Sequence, residues 1–319
     1  MRRRRFLTLS VLFLSALACN DPVVATVPGT AGIPPAPTVP SEPVTITSAT
    51  QVSAGLFQTC ILQTDKKTVC WGDDANGERT VPREASPAIQ VEAGRAHTCA
   101  LETDGITICW GSNGAGETTV PPRLNSVSQV TVGGFHVCAL KNDGTVTCWG
   151  SNTAGQIEVP ANLTSVKQVS AGYGQTCVLK TDGTVLCWGY NNFGQATVPS
   201  DLTSVAQISA GFFHTCALRT DGSIVCWGSN EEGQITVPTG LRSAIQVSAG
   251  YGHTCALRTD NSVVCWGFNN DGQINVPSGL DSISQISAGF YHTCSLKVDQ
   301  TVVCWGDNSY GQSAVPPRK

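Results

Sequence analysis

The sequence predicts an all-β fold, a seven-bladed β-propeller of 39-residue repeats. Three observations predict it. Pairs of cysteines ten positions apart recur seven times at a constant spacing of 39. Each unit carries short runs of Val, Ile, Thr, Leu and Trp broken by Ala-Gly, Asp-Gly, Asn-x-x-Gly and Pro, which reads as four strands per unit. After residue 20 no stretch keeps a 3.6-residue apolar period, so helices are not expected.

In chain order, residues 1–18 come first, with a basic start at Arg2 to Arg5 and an apolar run from Phe6 to Ala18. That run is too short to span a bilayer and reads as an export signal. Ser15-Ala16-Leu17-Ala18-Cys19 resembles a bacterial lipoprotein signal, with cleavage before Cys19 and lipid on its thiol; ordinary cleavage after Ala18 is the alternative. Arg3-Arg4-Arg5-Phe6-Leu7 also resembles a twin-arginine motif, so the export route stays open. Residues 19–45 follow as a tether rich in proline (Pro22, Pro28, Pro34, Pro35, Pro37, Pro40, Pro43), extended by composition. The propeller is expected over 46–319. Fifteen cysteines are an odd number, but setting aside Cys19 leaves fourteen, which is seven pairs. The expected location is the cell envelope, on the outer membrane or cell surface, with no membrane contact beyond the lipid.

Within a unit, Cys216 and Cys226 placed opposite one another on a hairpin leave Thr220, Asp221 and Gly222 as a three-residue loop, whose last position favours positive φ. Asn261 suits that position in the sixth unit; Lys66 and Gln300 fit less well in the first and last. The cysteines then fall at a non-hydrogen-bonded pair, where side chains are closest. The expected disulfides are Cys60-Cys70, Cys99-Cys109, Cys138-Cys148, Cys177-Cys187, Cys216-Cys226, Cys255-Cys265 and Cys294-Cys304. The competing reading is zinc held by His214, Cys216 and Cys226. Against it, the histidine position is Gln58 in the first unit and Gln175 in the fourth while the cysteines persist. No metal and no cofactor are expected.

Strand alternation puts Cys216 and Leu218 on one face and Ala217 and Trp227 on the other, so both faces are apolar and both must be covered. Stacking such sheets around an axis achieves that. The seventh unit stops four positions short, and Ile46 to Thr50 look like the missing segment, so the start of the folded region is expected to close the ring.

The A-G-x-x-H-T-x-A-L and D-G-x-V-x-x-W-G-x-N-x-x-G-Q runs resemble repeats of the regulator of chromosome condensation superfamily. In compactness, and in the W-G-x-N-x-x-G-Q-x-x-V-P segment, the units are more similar to the secreted β-lactamase inhibitor of that superfamily. The resemblance implies the propeller; neither pattern includes a cysteine pair in every blade. It also implies a loop face rich in aromatics as the place where a partner binds.

Antiparallel alternation would put the A-G-x-x-H and W-G-x-N-x-x-G loops on one rim and the T-D-G turns on the other. All Phe and Tyr residues after the export signal fall in the first set. Phe57 and Phe135 come from units one and three. The other ten are Tyr173, Tyr190, Phe193, Phe212, Phe213, Tyr251, Phe268, Phe290, Tyr291 and Tyr310, from units four to seven. Clustering on contiguous blades points to a partner-binding sector, because aromatics dominate interface hot spots; the alternative is packing between loops. Asp73, Asp74, Glu231, Glu232, Asp271 and Asp307 join that rim, while Lys66, Lys67, Lys141, Lys180, Arg219, Arg258 and Lys297 mark the other. The five histidines share one repeat position and are expected to bond loop backbone. Asp65 and its repeats are turn residues.

Charge excludes one class. Removing Arg2 to Arg5 takes the balance from 19 basic against 23 acidic to 15 against 23, unsuited to nucleic acid. The sequence has no nucleophile elbow, zinc-hydrolase helix or phosphate loop. The expected function is a monomeric, non-enzymatic envelope lipoprotein that binds a protein or polymer through the aromatic face. The alternatives are an inhibitor of a secreted or periplasmic enzyme, and an enzyme acting on an envelope or extracellular polymer. Export argues against nucleotide exchange on a cytosolic GTPase.

Overall fold

A computed structural model describes residues 46–318. The expected signal peptide, Cys19 and the proline-rich tether lie outside the described residues. Within them the fold is all-β: seven antiparallel sheets, each from one repeat. No helix among the described residues is long and apolar enough to cross a membrane.

Each sheet has three strands where four were expected. In the first unit these are Ala49–Ala54, Gln58–Gln63 and Thr68–Gly72. The remaining G-Q-x-x-V-P segment pairs with no strand, for two reasons. Its proline has no N–H to offer a ladder. Its carbonyls are instead claimed by side chains of the following blade: the Gln195 carbonyl accepts the Trp227 indole N–H and the Thr215 hydroxyl, both at 2.9 Å. All seven tryptophans bond this way, at 2.8 to 3.0 Å, which laces each blade to its predecessor.

The hairpins have the expected register. Cys216 lies opposite Cys226, with Cα atoms 4.1 Å apart, and all seven pairs are disulfides. That removes the zinc reading of His214, Cys216 and Cys226. The left-handed turn position has φ near +79° at Gly222, and Lys66, Asn261 and Gln300 adopt it too, at 65°, 62° and 69°.

The cysteine face of one sheet packs on the alanine-tryptophan face of the next. Cys177, Leu179 and Val185 of one sheet surround Ala217 and Trp227 of the next. Cys294, Leu296 and Val302 of the last sheet surround Ile61 and Trp71 of the first, and Ile46 bonds Pro317. Between inner strands, one glutamine per blade spans the gap with its amide. Gln51 donates to the Val91 carbonyl and accepts from the Val91 N–H, at 3.0 and 2.9 Å. A primary amide presents the same donor and acceptor as a peptide group, so it stands in for a missing strand.

Candidate binding face

The A-G-x-x-H loop joins inner and middle strands, and its glycine is required by space. A Cβ at Gly211 would sit 2.6 Å from the Gly250 carbonyl oxygen and 2.8 Å from His214 Cε1. The loops interlock: the Phe212 N–H donates to Gly250 and the Phe290 N–H to Gly55, both at 3.0 Å. The histidine beneath does not bond loop backbone as expected. His214 Nε2 meets the Thr254 hydroxyl of the next blade at 2.9 Å, and that hydroxyl donates its proton to the Gln234 carbonyl. The imidazole must therefore be the donor at Nε2, and with Nδ1 buried and unpartnered it is neutral. Burial agrees, depressing His214 to about 3. His136, His253 and His292 repeat the arrangement. Gln58 and Gln175 do bond loop backbone, through Gly94 and Gly211.

The second loop, W-G-x-N-x-x-G-Q, is fixed by its own glutamine. The buried side chain of Gln195 accepts the Phe193 N–H at 3.0 Å, and Gln312 likewise holds Tyr310 at 2.9 Å. Glu232 and Asp271 occupy the equivalent positions in blades five and six, held by Gln234 and Gln273. A uniform scaffold thus presents four different side chains.

The twelve rings make one continuous network. Tyr173 stacks on Phe212 with centroids 3.6 Å apart, and Phe212 meets Phe213 at 4.1 Å, Tyr251 at 4.6 Å and Phe290 at 5.4 Å. Phe213 reaches Phe193 at 4.7 Å and Tyr190 at 6.1 Å. Tyr251 continues to Tyr291 at 5.2 Å and Phe268 at 6.4 Å. Phe57 stacks between Tyr310 and Tyr291, and Phe135 meets Tyr173 edge-on at 5.2 Å. Sequence reasoning missed that Phe57 and Phe135 join the sector, and that Arg95 lies 4.7 Å over Phe135. The rings do pack on one another, yet none is fully buried: Phe193 is 38% and Tyr310 50% exposed, and the other ten are half-buried. Desolvation raises the Tyr173, Tyr251 and Tyr291 phenols, and Glu232 and Glu231 add to the rise at Tyr251.

Tyr173, Phe212 and Phe290 overhang a central cavity of about 80 Å³ whose collar is Ala54, Ala93, Val132, Ala171, Ala210, Ala249 and Ala288. Deeper lies a polar cavity of about 160 Å³ lined by Ser53, Thr131, Ser170, Ser209, Ser248, Ser287 and Glu92. Each hydroxyl accepts the N–H of the next inner strand, as Ser209 does from Ala249 at 2.9 Å. Glu92 replaces this serine in blade two. Its carboxyl takes hydrogen bonds from Gln90, Gln51 and Ser53 at 3.1, 3.2 and 3.3 Å, and desolvation pushes it up to about 7.

The opposite rim is less basic than the sequence suggested, because five of its seven cationic side chains are paired and, among the described residues, only Lys66 and Arg219 of the seven enter no ion pair. Lys67, Lys141, Lys180 and Arg258 pair with the aspartate of their own turn, and Lys297 with Asp281, at 2.9 to 3.7 Å. Such exposed pairs add little stability but cancel the local field.

The chain resembles known propellers. The ectodomain of the Physcomitrella patens receptor kinase CR4 matches with a TM-score of 0.69 and 26% identity over 82% of this chain and 74% of that one. The CRINKLY WD40 ectodomain of the Arabidopsis thaliana receptor kinase ACR4 matches with 0.65 and 24%, over 82% and 98%. Prp20p from Saccharomyces cerevisiae, described with its binding to Gsp1p and histones, shares the fold with 0.67 and 18%, over 78% and 83%. No curated protein matches in sequence. The regulator of chromosome condensation (RCC1) repeat model matches residues 88–117, 127–156, 166–195, 205–234, 244–273 and 283–312, more than half of the chain. With seven such blades and their loops in place, the chain belongs to the RCC1 repeat family.

Proposed function

We propose that this chain is a non-enzymatic binding protein of the cell envelope, exported, anchored by lipid on Cys19, and docking a protein or polymer on its aromatic face. The observation that carries this reading is the single network of twelve half-exposed rings on one face, ten of them from blades four to seven. A propeller needs none of them: the blade interfaces are complete in disulfides, tryptophans and glutamine bridges without a Phe or Tyr. An aromatic surface held by rigid loops loses little side-chain entropy on binding, which is what a hot spot requires. The seven disulfides fit an oxidising, exported setting. Protein binding by Prp20p and the ectodomain origin of the receptor-kinase propellers support the class, without naming a partner for this chain.

The test is a pull-down from envelope and secreted proteins, comparing the native chain with a variant carrying Ala at Phe212, Phe213, Tyr251, Phe290 and Tyr291. A partner captured by the native chain and lost by the folded variant supports the reading. Capture of the same set by both removes it. Inhibition of a secreted enzyme remains the second reading, tested by assaying whatever is captured.

A further inference from the structure

The aromatic face is electrically one-sided. Glu231, Glu232 and Asp271 are exposed on its blade five and six side, and half-buried Asp307 follows in blade seven. Among the described residues none of these four enters an ion pair, in contrast to the five paired cationic side chains at the turns opposite. Asp307 instead accepts from the Ser309 N–H at 2.9 Å and Gln312 Nε2 at 2.7 Å, which keeps it anionic. The positive groups of this face are elsewhere: Arg79 is held by Asp74 at 3.2 Å, and Arg95 sits in blade two over Phe135. Glu232 and Glu231 act electrostatically on Tyr251, and Asp271 and Asp307 on Tyr291, so rings and carboxylates share one sector.

Resting on the docking reading above, we propose that this sector takes a lysine- or arginine-rich segment of a protein partner. Its cationic heads would lie between Tyr251, Phe268 and Tyr291 and the carboxylates Glu232, Asp271 and Asp307. Three physical terms act together there. A cation over an aromatic face is drawn to the ring quadrupole. Its apolar stem covers ring surface that water now wets. It also relieves the repulsion between Asp271 and Asp307, which with desolvation raises the Asp271 carboxyl. An acidic or phosphorylated segment would meet only like charge.

The probe is a fluorescein-labelled peptide alternating arginine and serine, with a glutamate-for-arginine peptide as control, titrated against the full chain at low and at physiological salt. The arginine peptide should bind and the glutamate peptide should not. Affinity should fall about tenfold in a Glu231→Gln, Glu232→Gln, Asp271→Asn variant, and about tenfold in a Tyr251→Ala, Tyr291→Ala variant. Asp104→Asn with Asp182→Asn, on the opposite rim, should change nothing. Failure of the arginine peptide to bind, equal loss in the opposite-rim variant, or indifference to either face variant overturns the inference. If the pull-down still loses its partner with the five alanines while the peptide is indifferent, the face binds but its partner is not cationic. If the pull-down is unchanged, the docking reading itself fails.

Discussion

The interior of the blades and the aromatic face are built from the same repeat but treated differently. Inside, the tryptophan-to-carbonyl bond occurs seven times with a spread of 2.8 to 3.0 Å. On the face, the position after the loop glycine reads Leu56, Arg95, Gly134, Tyr173, Phe212, Tyr251 and Phe290. Since the loop backbone bonds the next blade through leucine, glycine, tyrosine or phenylalanine alike, with Arg95 the exception, the fold does not select that side chain. Positions where repeats agree hold blades together, and positions where they differ are free to meet something else. The interior breaks its own rule mainly in one place, where blade two faces blade three. There Glu92 replaces serine, Val132 replaces alanine, and Val137 replaces threonine.

The largest effect expected of the uniform interior is an acid transition. Burial depresses all five histidines, His136, His214 and His253 to about 3 and His97 and His292 to about 4, from an ordinary 6.5. The unfolded chain therefore binds more protons than the folded one once pH drops below 6.5, and stability is lost as pH falls toward the folded values. Each excess proton is worth about 1.4 kcal/mol per pH unit, so the limiting slope approaches about 7 kcal/mol per unit. Denaturant titration at stepped pH should show stability holding at pH 7 and collapsing near pH 5. A flat profile across that range would break the assignment of these histidines as neutral interior side chains. Glutamine at all five positions, the residue already used at 58 and 175, should remove the transition.

Glu92 has the opposite sign. Its folded value of about 7 lies above the unfolded 4.5, so the folded chain holds the extra proton and stability falls as pH rises between those values. Above pH 7 the penalty is complete, with an upper bound of about 3 kcal/mol. Glu92→Ser restores the residue type found in five other blades and should stabilise the chain by about 1 to 3 kcal/mol at pH 8, with little gain at pH 4.5. Equal stability of the two proteins at pH 8 would mean that the cavity solvates the carboxylate as well as water does.

Much of this was legible in the sequence because repetition multiplies a weak signal. One Cys-x9-Cys is ambiguous between disulfide and metal ligand, but seven with a drifting histidine position are not. The hairpin register followed from Asp-Gly and the cysteine spacing, and strand parity from Cys216, Ala217 and Trp227. The fourth strand failed because extended, β-prone residues such as Val198-Pro199 carry no sign of whether a ladder or a tryptophan will take their carbonyls. The ring-to-ring contacts of the face were legible only as a census of Phe and Tyr, since loop geometry decides that Phe57 and Phe135 join it. The partial neutralisation of the turn rim was missed by counting Lys67, Lys141, Lys180 and Arg258 apart from the aspartates two positions away. Glu92 could have been found, because it is the one acidic residue in a column of Ser and Thr.

The mildest change sharpens the contrast most, because it repairs the interior without touching the face. His97 Nε2 is buried with no hydrogen-bond partner, while its equivalents at 136, 214, 253 and 292 each reach a threonine in the next blade. The residue that should answer it is Val137, fully buried. Val137→Thr keeps the shape and supplies a hydroxyl that accepts from His97 and donates to the Glu117 carbonyl, which now takes only the Trp149 indole, at 2.8 Å. A threonine in a core normally destabilises, because its hydroxyl is left unpaired. Here both of its bonds are prepared, so the variant should gain about 1 to 2 kcal/mol in denaturant unfolding. It should also slow amide exchange in Ala88–Ala93 and Val127–Val132, the inner strands of the two blades it joins. Binding at the aromatic face should be unchanged. A destabilised variant would mean that the space around His97 does not match its counterparts, and that the blade two to three interface is built to a different plan.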